Sequence, residues 1–351
     1  MSLFESSAFE NHEAVHAFAD LASGLRTFIA IHSTARGPAA GGCRVFPYAS
    51  EQAAVDDALR LSRAMSFKNA MADIPLGGGK AVIIGDPRQV KTPALFEAFG
   101  RSVEALGGRY WTAEDVGVSP ADLAQARRAT RFVAGLEGHP AASGDPSPVT
   151  AEGVKRGIAL CVRRALGQGL DGVTVALQGV GHVGAYLAEK LAAAGAKLIV
   201  TDVDQAAVAA VVARTGARPV APEAIFDAEA EVFAPCAMGG ALTRDTIGRL
   251  KAKVVAGGAN NQFGEADAGR LLQDKGVLYA PDFVINGGGI INVAGEIRAL
   301  QAESAFDPAW VETKLGRLME TLDEVLQRSA ASGRTPHEVA VEIAEARIAR
   351  A

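Results

Sequence analysis

The stretch from Gly172 to Asp204 constrains the fold more than any other part of the chain. It reads GVTVALQGVGHVGAYLAEKLAAAGAKLIVTDVD. An apolar, β-branched run (VTVALQ) leads into a GxGxxG turn at Gly179, Gly181 and Gly184. A helical pattern follows, then a second strand-like run that ends on Thr201 and Asp202. A strand, a glycine turn that opens a helix, and a second strand ending in an acid form a βαβ unit that binds a dinucleotide. Gly179 is expected to make the tight turn, and Gly181 to let backbone N–H groups approach a pyrophosphate. Gly184 is expected to let helix and strand pack closely, and the helix N-terminus favours the negative charge. Asp202 would accept hydrogen bonds from the adenosine ribose hydroxyls and repel a 2′-phosphate, so NAD is expected rather than NADP. The hexapeptide alone would also suit a glycine-rich turn with no ligand; the strand, helix and acid around it favour the cofactor.

Strand and helix signals alternate from there, at AKLIVTDVD, QAAVAAVVART, EVFAPC, KVVAGGAN and GVLYAPDFVIN. Such alternation builds a parallel sheet. Upstream, residues 25–35 (LRTFIAIHST) read as a strand, 51–71 as a helix with Val55, Ala58 and Leu59 on one face, KAVII as a short buried strand, and 93–106 as a helix. RYWTAEDVG reads as a strand with a polar end. SGDPSPVT, at 143–150, is dense in Pro, Ser and Gly and makes the best linker. Thr150 is expected to cap the helix that begins AEGVKRGIALCV. The tail reads as two helices around a glycine turn. The expected fold class is therefore α/β: an N-terminal α/β substrate and oligomerisation domain at 1–140, a Rossmann-type NAD domain at 141–330, and a C-terminal helical segment at 331–351 that packs back on the first domain.

A chain of 351 residues with 49% hydrophobic content is long for one core and suits two domains. Its net charge of −5 and the lack of a basic run argue against nucleic acid and against a membrane-surface helix. No uninterrupted apolar stretch approaches the ~18 residues a membrane span needs. The first residues carry acids and no Lys or Arg ahead of their apolar positions, unlike a secretory signal. Cys43, Cys161 and Cys236 are an odd, scattered set, which suits a reducing cytoplasm.

Two lysines sit in unusual company. Lys68 lies in the apolar helix segment AMSFKNAM, and Lys80 follows three glycines and enters an apolar strand. A lysine in apolar surroundings loses proton affinity, and a neighbouring cation lowers it further. Such a lysine can serve as a base near neutral pH. Asp115, at a strand end, is a candidate partner. Taken alone, the pattern fits equally well two lysines that snorkel to solvent.

The segments GPAAGGCRVF, MSFKNAMADIPLGGGKAVI, TAEDVG, SGDPSPVTAEGV and FVINGGGIINVAGE, in this order, resemble the glutamate/leucine/phenylalanine/valine dehydrogenase family. PLGGGK and GDPSPVTAEGV are the most specific of them. The resemblance runs from about residue 25 to 300 and implies two domains with a deep cleft between them. It implies that Lys68 grips the substrate carboxylate, that Gly41 and Gly42 lie against the substrate, that Lys80 is the general base, and that Asp115 relays protons. Thr150 and Asn261 would hold the nicotinamide end near the substrate Cα. The implied cofactor-binding set is Thr150, Gly179, Gly181, His182, Val183, Gly184, Asp202, Val203, Ala237 and Asn261. The implied substrate set is Lys68, Gly41, Gly42, Met65, Ala113, Asn261, Ile290 and Val293. The implied reaction is NAD-dependent, reversible oxidative deamination of an L-amino acid to a 2-oxo acid and ammonia, in a homo-oligomer.

The positions that would choose the side chain, Gly41, Met65, Ala113, Ile290 and Val293, are small or aliphatic. An apolar pocket cannot favour a charged side chain, so leucine, valine or phenylalanine is expected and glutamate is not. Leucine and valine separate poorly from phenylalanine, because such pockets discriminate by only about 1–3 kcal/mol. Cys43 stands where the family commonly has threonine. His182, inside the glycine loop, either touches a phosphate or faces solvent, and the second reading is favoured. Arg44 is open between positioning substrate and bridging domains. His12 and His16, read as i,i+4 on a helix, lack a third metal ligand, and no metal is expected. Two other functions remain open. A Rossmann dehydrogenase for a different small anionic substrate would normally show a His–acid pair or a zinc cluster. A non-catalytic NAD-binding protein would not need the lysines and Asp115.

Overall fold

The mixed first sheet is ordered β1-β2-β4-β3-β5. Its strands are β1 (Ala14–Asp20), β2 (Leu25–Ser33), β3 (Ala39–Phe46), β4 (Gly77–Ile84) and β5 (Tyr110–Glu114). The antiparallel pairs β1–β2 and β2–β4 continue into the parallel pairs β4–β3 and β3–β5. The structure is a computed structural model describing residues 3–350. Met1, Ser2 and Ala351, the outermost residues of the expected first and last segments, lie outside the described residues.

Helix α1 (Glu51–Met71) starts where the Ser50 side chain accepts from the Ala53 N–H. Its Ala54, Ala58 and Leu59 are fully buried and cluster with Val82 of β4. Burying such a face, at about 25 cal/mol per Å², is what holds a helix of ordinary propensity on a sheet. Three shorter helices complete this part: α2 (Pro87–Val90), α3 (Pro93–Glu104) and α4 (Pro120–Arg127). α3 is capped by the Thr92 hydroxyl, with Pro93 preset for its first turn. It buries Leu95, Phe96, Phe99 and Val103.

The second sheet is wholly parallel and ordered β11-β10-β9-β6-β7-β8. Its strands are β6 (Thr174–Gln178), β7 (Lys197–Thr201), β8 (Arg218–Pro219), β9 (Val232–Pro235), β10 (Val254–Val255) and β11 (Leu278–Tyr279). The helices that go with it are α5 (Ser147–Leu166), α6 (His182–Ala193), α7 (Gln205–Thr215), α8 (Arg244–Arg249), α9 (Ala268–Asp274) and α10 (Asp282–Ile285). β7 and β9 flank β6, so the order reverses there, which in open α/β sheets marks the ligand crevice. On one face the core gathers Phe233, Ile247, Val255, Leu272 and Tyr279. The chain ends with α11 (Gly288–Gln301), α12 (Pro308–Ser332) and α13 (Pro336–Ala349).

Contacts divide the chain into two units. One runs up to Asp145 and takes in Ile290–Val311 and the chain from Ala344 onward. The other is Pro146–Gly289 with Glu312–Ile343. The division differs from the expected one at 140 and 330, because segments remote in sequence join the first unit. Glu296 of α11 is tied to the loop at 135–143. Arg347 of α13 donates to the Ala70 and Met71 carbonyls at the end of α1.

Local expectations need correction as well. His12 precedes β1 and His16 lies on it, so they share no helix; a buried residue ahead of the strand and a half-buried one on it stood at helical spacing by chance. Thr150 does not cap α5, which begins at Ser147. Its hydroxyl donates to the Pro146 carbonyl from within the first turn. GVLYAPDFVIN contributes only the two residues of β11 before turning into α10. Among the described residues no helix is long and apolar enough to cross a membrane, and no acid, histidine or cysteine cluster could hold a metal.

Candidate active site

In the first unit, Lys80 of β4 and Asp115, just past β5, form a direct ion pair through Nζ and Oδ2. Lys80 is 6% exposed, so it does not snorkel to solvent. The same Asp115 oxygen accepts from Arg44 Nε at 3.2 Å. Burial alone would push the Asp115 carboxyl up; Lys80 and Arg44 outweigh it and hold the group below its ordinary value. Asp115 is thus an anion shared by two cations.

The glycines around this pair are spacers. A Cβ on Gly42 would lie 2.7 Å from the Asp115 Cβ. One on Gly41 would meet the Gly79 carbonyl oxygen at 1.9 Å and the Met65 side chain at 3.1 Å. Only glycine lets β3 sit this close to β4 and leaves backbone facing Met65 and Asp115. Gly42 and Ala113 are register partners across β3 and β5, and Asp115 lies two positions beyond Ala113. Lys68 and Met65 are half-buried on α1, and Ile290 and Val293 are half-buried at the start of α11.

In the second unit the glycine turn joins β6 to α6. Gly179 has φ +93°, which favours glycine, and its Cβ would strike Ala237 N at 2.5 Å. A Cβ on Gly184 would lie 2.0 Å from the Gly179 carbonyl oxygen, the close helix–strand packing expected from sequence. Gly181 differs: a Cβ there meets nothing within 4 Å. It is the N-cap of α6, and no side chain caps that helix. Bare N–H groups thus face open space at a helix N-terminus, which suits a pyrophosphate. Asp202, at the end of β7, accepts from the Val180 N–H at 2.7 Å. His182, Val203 and Ala237 are exposed, and Val183 is half-buried.

Gly288 and Gly289 run against Thr150: a Cβ on Gly289 would meet the Thr150 Oγ1 at 2.8 Å. Asn261 is exposed, with φ +51°, a conformation asparagine tolerates, and its carbonyl accepts from Gly240. Cys236 accepts weakly from the Gly258 N–H, and burial pushes its thiol up to about 12, so it is no nucleophile at neutral pH. Two residues around Asp115 carried no sequence signal. Asp57 of α1 binds Arg44 Nη1 at 3.1 Å, and Tyr48 donates to Asp57 at 2.6 Å. An acid on a half-polar helix looks like any surface acid until the fold sets it beside β3.

Residues 12–132 match the family described as Glu/Leu/Phe/Val dehydrogenase, dimerisation domain, and residues 200–351 match Glutamate/Leucine/Phenylalanine/Valine dehydrogenase. The chain belongs to this family. It is 48% identical to a leucine dehydrogenase of Thermoactinomyces intermedius over 87% of this chain and 84% of that one. It is 44% identical to a valine dehydrogenase of Streptomyces coelicolor over 97% and 93%. Among solved structures, L-tryptophan dehydrogenase from Nostoc punctiforme superposes with a TM-score of 0.84 at 38% identity, covering 97% of this chain and 96% of that one. The chain is accordingly an amino-acid dehydrogenase, an oxidoreductase acting on CH–NH2 donors.

Proposed function

We propose that this enzyme catalyses the reversible, NAD-dependent oxidative deamination of a hydrophobic L-amino acid, with leucine, valine and phenylalanine as candidates, to the 2-oxo acid and ammonia. The observation that carries the reading is the buried Lys80–Asp115 pair beside the Gly41–Gly42 backbone. Lys68 grips the substrate carboxylate as a point charge, and the Gly41 and Gly42 backbone lies along the substrate. Met65, Ala113, Ile290 and Val293 surround its side chain. None of these four carries a charge, so a glutamate side chain would be desolvated without a partner.

NAD fits the second unit through the uncapped α6 N-terminus at Gly181 and the carboxylate of Asp202. His182, Val183, Val203 and Ala237 lie along the same cofactor path, and Thr150 and Asn261 hold its nicotinamide end. Bound there, the nicotinamide supplies a hydride acceptor for the substrate Cα–H. Asp115 accepts a hydrogen bond from the substrate ammonium and relays its proton to solvent, so that the nitrogen lone pair can form the iminium. Lys80 Nζ then removes a proton from water as its oxygen adds to the iminium carbon. Lys80 returns that proton to the carbinolamine nitrogen and takes the hydroxyl proton as the C=O bond forms and the C–N bond breaks, releasing ammonia and the 2-oxo acid. The working form is a homo-oligomer in the cytoplasm.

The test is NADH formation at 340 nm at alkaline pH across the twenty L-amino acids, with Lys80→Ala beside the wild type. Turnover of leucine, valine or phenylalanine, absent with glutamate and lost in Lys80→Ala, is expected. Near wild-type turnover by Lys80→Ala would overturn the base assignment.

A further inference from the structure

We infer that Arg44 is a positioning residue that tunes Lys80 through Asp115, and that Asp57 opposes it. The inference rests on the reading of Lys80 as the base. Arg44 leaves β3 two positions after Gly42 and ends between two acids: Nε binds Asp115 Oδ2 at 3.2 Å, and Nη1 binds Asp57 Oδ2 at 3.1 Å. Arg44 and Lys80 therefore compete for one oxygen. With Lys80 protonated, the charges of Lys80, Asp115, Arg44 and Asp57 cancel. When Lys80 gives up its proton the group carries one net negative charge. Without Arg44 that step would run from −1 to −2, and Lys80 would hold its proton more tightly. Arg44, which never deprotonates at working pH, thus keeps Asp115 ionised while weakening its hold on Lys80.

The other groups nearby do not replace it. Tyr48 is raised by burial and by Asp57, and stays neutral. Burial likewise raises the Cys43 thiol, which stays protonated. Arg60 is mostly exposed, 3.8 Å from the other Asp57 oxygen. Asp122 is paired with Lys91. Lys68, on α1, carries its own interaction and is set aside for the substrate carboxylate. Neither substrate contact nor domain bridging is needed to explain Arg44: its donors are directed at these two acids.

The test is the pH profile of kcat/KM for oxidative deamination in Arg44→Gln, Arg44→Lys and Asp57→Asn. The substrate ammonium titrates alike in all of them, so a displacement between variants belongs to the enzyme. Cations sharing an oxygen in a partly buried site shift one another by about one pH unit. The acid limb should move up by about one unit in Arg44→Gln, less in Arg44→Lys, and down in Asp57→Asn. Opposite signs from two neighbouring substitutions are not what loosened packing produces. Limbs that stay put, or that move the same way, would overturn the inference even if Lys80→Ala is dead. If Arg44→Gln does not fold, Arg44→Lys against Asp57→Asn still carries the sign test. An active Lys80→Ala would instead remove the reading beneath it.

Discussion

The Val180 N–H donates to the Asp202 carboxylate at 2.7 Å, tying the glycine turn to the end of the next strand. The other Asp202 oxygen accepts from Asp204 N at 3.0 Å. The acid is thus held in place with its charge at the strand end. A charged hydrogen bond of this kind contributes about 1.5–3 kcal/mol. Asp202→Ala should lower kcat/KM for NAD by about ten- to a hundredfold on that basis. It should also raise activity with NADP relative to NAD, because repulsion of the 2′-phosphate is gone. An unchanged NADP/NAD ratio in steady-state assays would remove Asp202 from cofactor selection.

Gly181 and Gly184 should separate binding from folding. A Cβ at Gly184 has a carbonyl oxygen 2.0 Å away and nowhere to go, whereas one at Gly181 meets nothing within 4 Å. Gly184→Ala is expected to lower the denaturant midpoint, by about 1–3 kcal/mol as overpacking does. Gly181→Ala should keep wild-type stability and raise the KM for NAD, since its methyl enters the space assigned to the pyrophosphate. Unfolding curves and NAD titrations of both variants decide this; the reverse pattern would place the phosphates elsewhere.

Acid should weaken the first unit through His32. Its Nδ1 bonds the Ser66 hydroxyl at 2.8 Å, and the His12 ring lies edge-on at 4.9 Å. Burial, then His12 and Arg63, lower the His32 pKa to about 4, with Glu10 and Glu13 opposing them weakly. The unfolded chain therefore binds this proton first, with a pKa near 6.5. The stabilising contribution is full above that value and is lost as pH falls from about 6.5 to about 4, by roughly 3 kcal/mol at most. Urea midpoints measured across this window should fall less steeply in His32→Gln than in the wild type.

What the sequence disclosed depends on how local each feature is. β6, the glycine turn and α6 were legible because short-range chemistry sets them: a buried run, a positive φ at Gly179 and an uncapped helix start. Lys80 and Asp115 were legible as candidates for the same reason, one leading into the apolar run KAVII and the other just past the end of a strand. β3 was visible only as a motif. Two adjacent glycines argue against a strand, and they are tolerated because the Gly79 carbonyl occupies the space a side chain at Gly41 would need. Thr150 misled because Ser, Pro and Thr crowd the start of α5, and Pro148 permits the helix to begin earlier. The return of residues 290–311 to the first unit is set by long-range bonds, which no local pattern encodes.

Glu296 supplies the strongest of those bonds and the sharpest stability prediction. It is fully buried on α11. One of its oxygens accepts from the Gly135 and Leu136 N–H groups at 3.0 and 3.2 Å, and the other from the Ser143 N–H and hydroxyl at 3.1 and 2.7 Å. All four partners donate, and three are backbone groups that cannot reverse. A glutamine in this place must turn its amide NH2 toward one pair of donors. Either orientation leaves at least one backbone N–H facing another donor. Glu296→Gln, nearly isosteric, should therefore cost about 2–3 kcal/mol. Glu296→Ala, which strands all four donors, should cost about 3–5 kcal/mol. Both costs are to be read from the shift in denaturant midpoint at constant slope. Equal stability of Glu296→Gln and wild type would mean that these four bonds do not hold α11 to the loop.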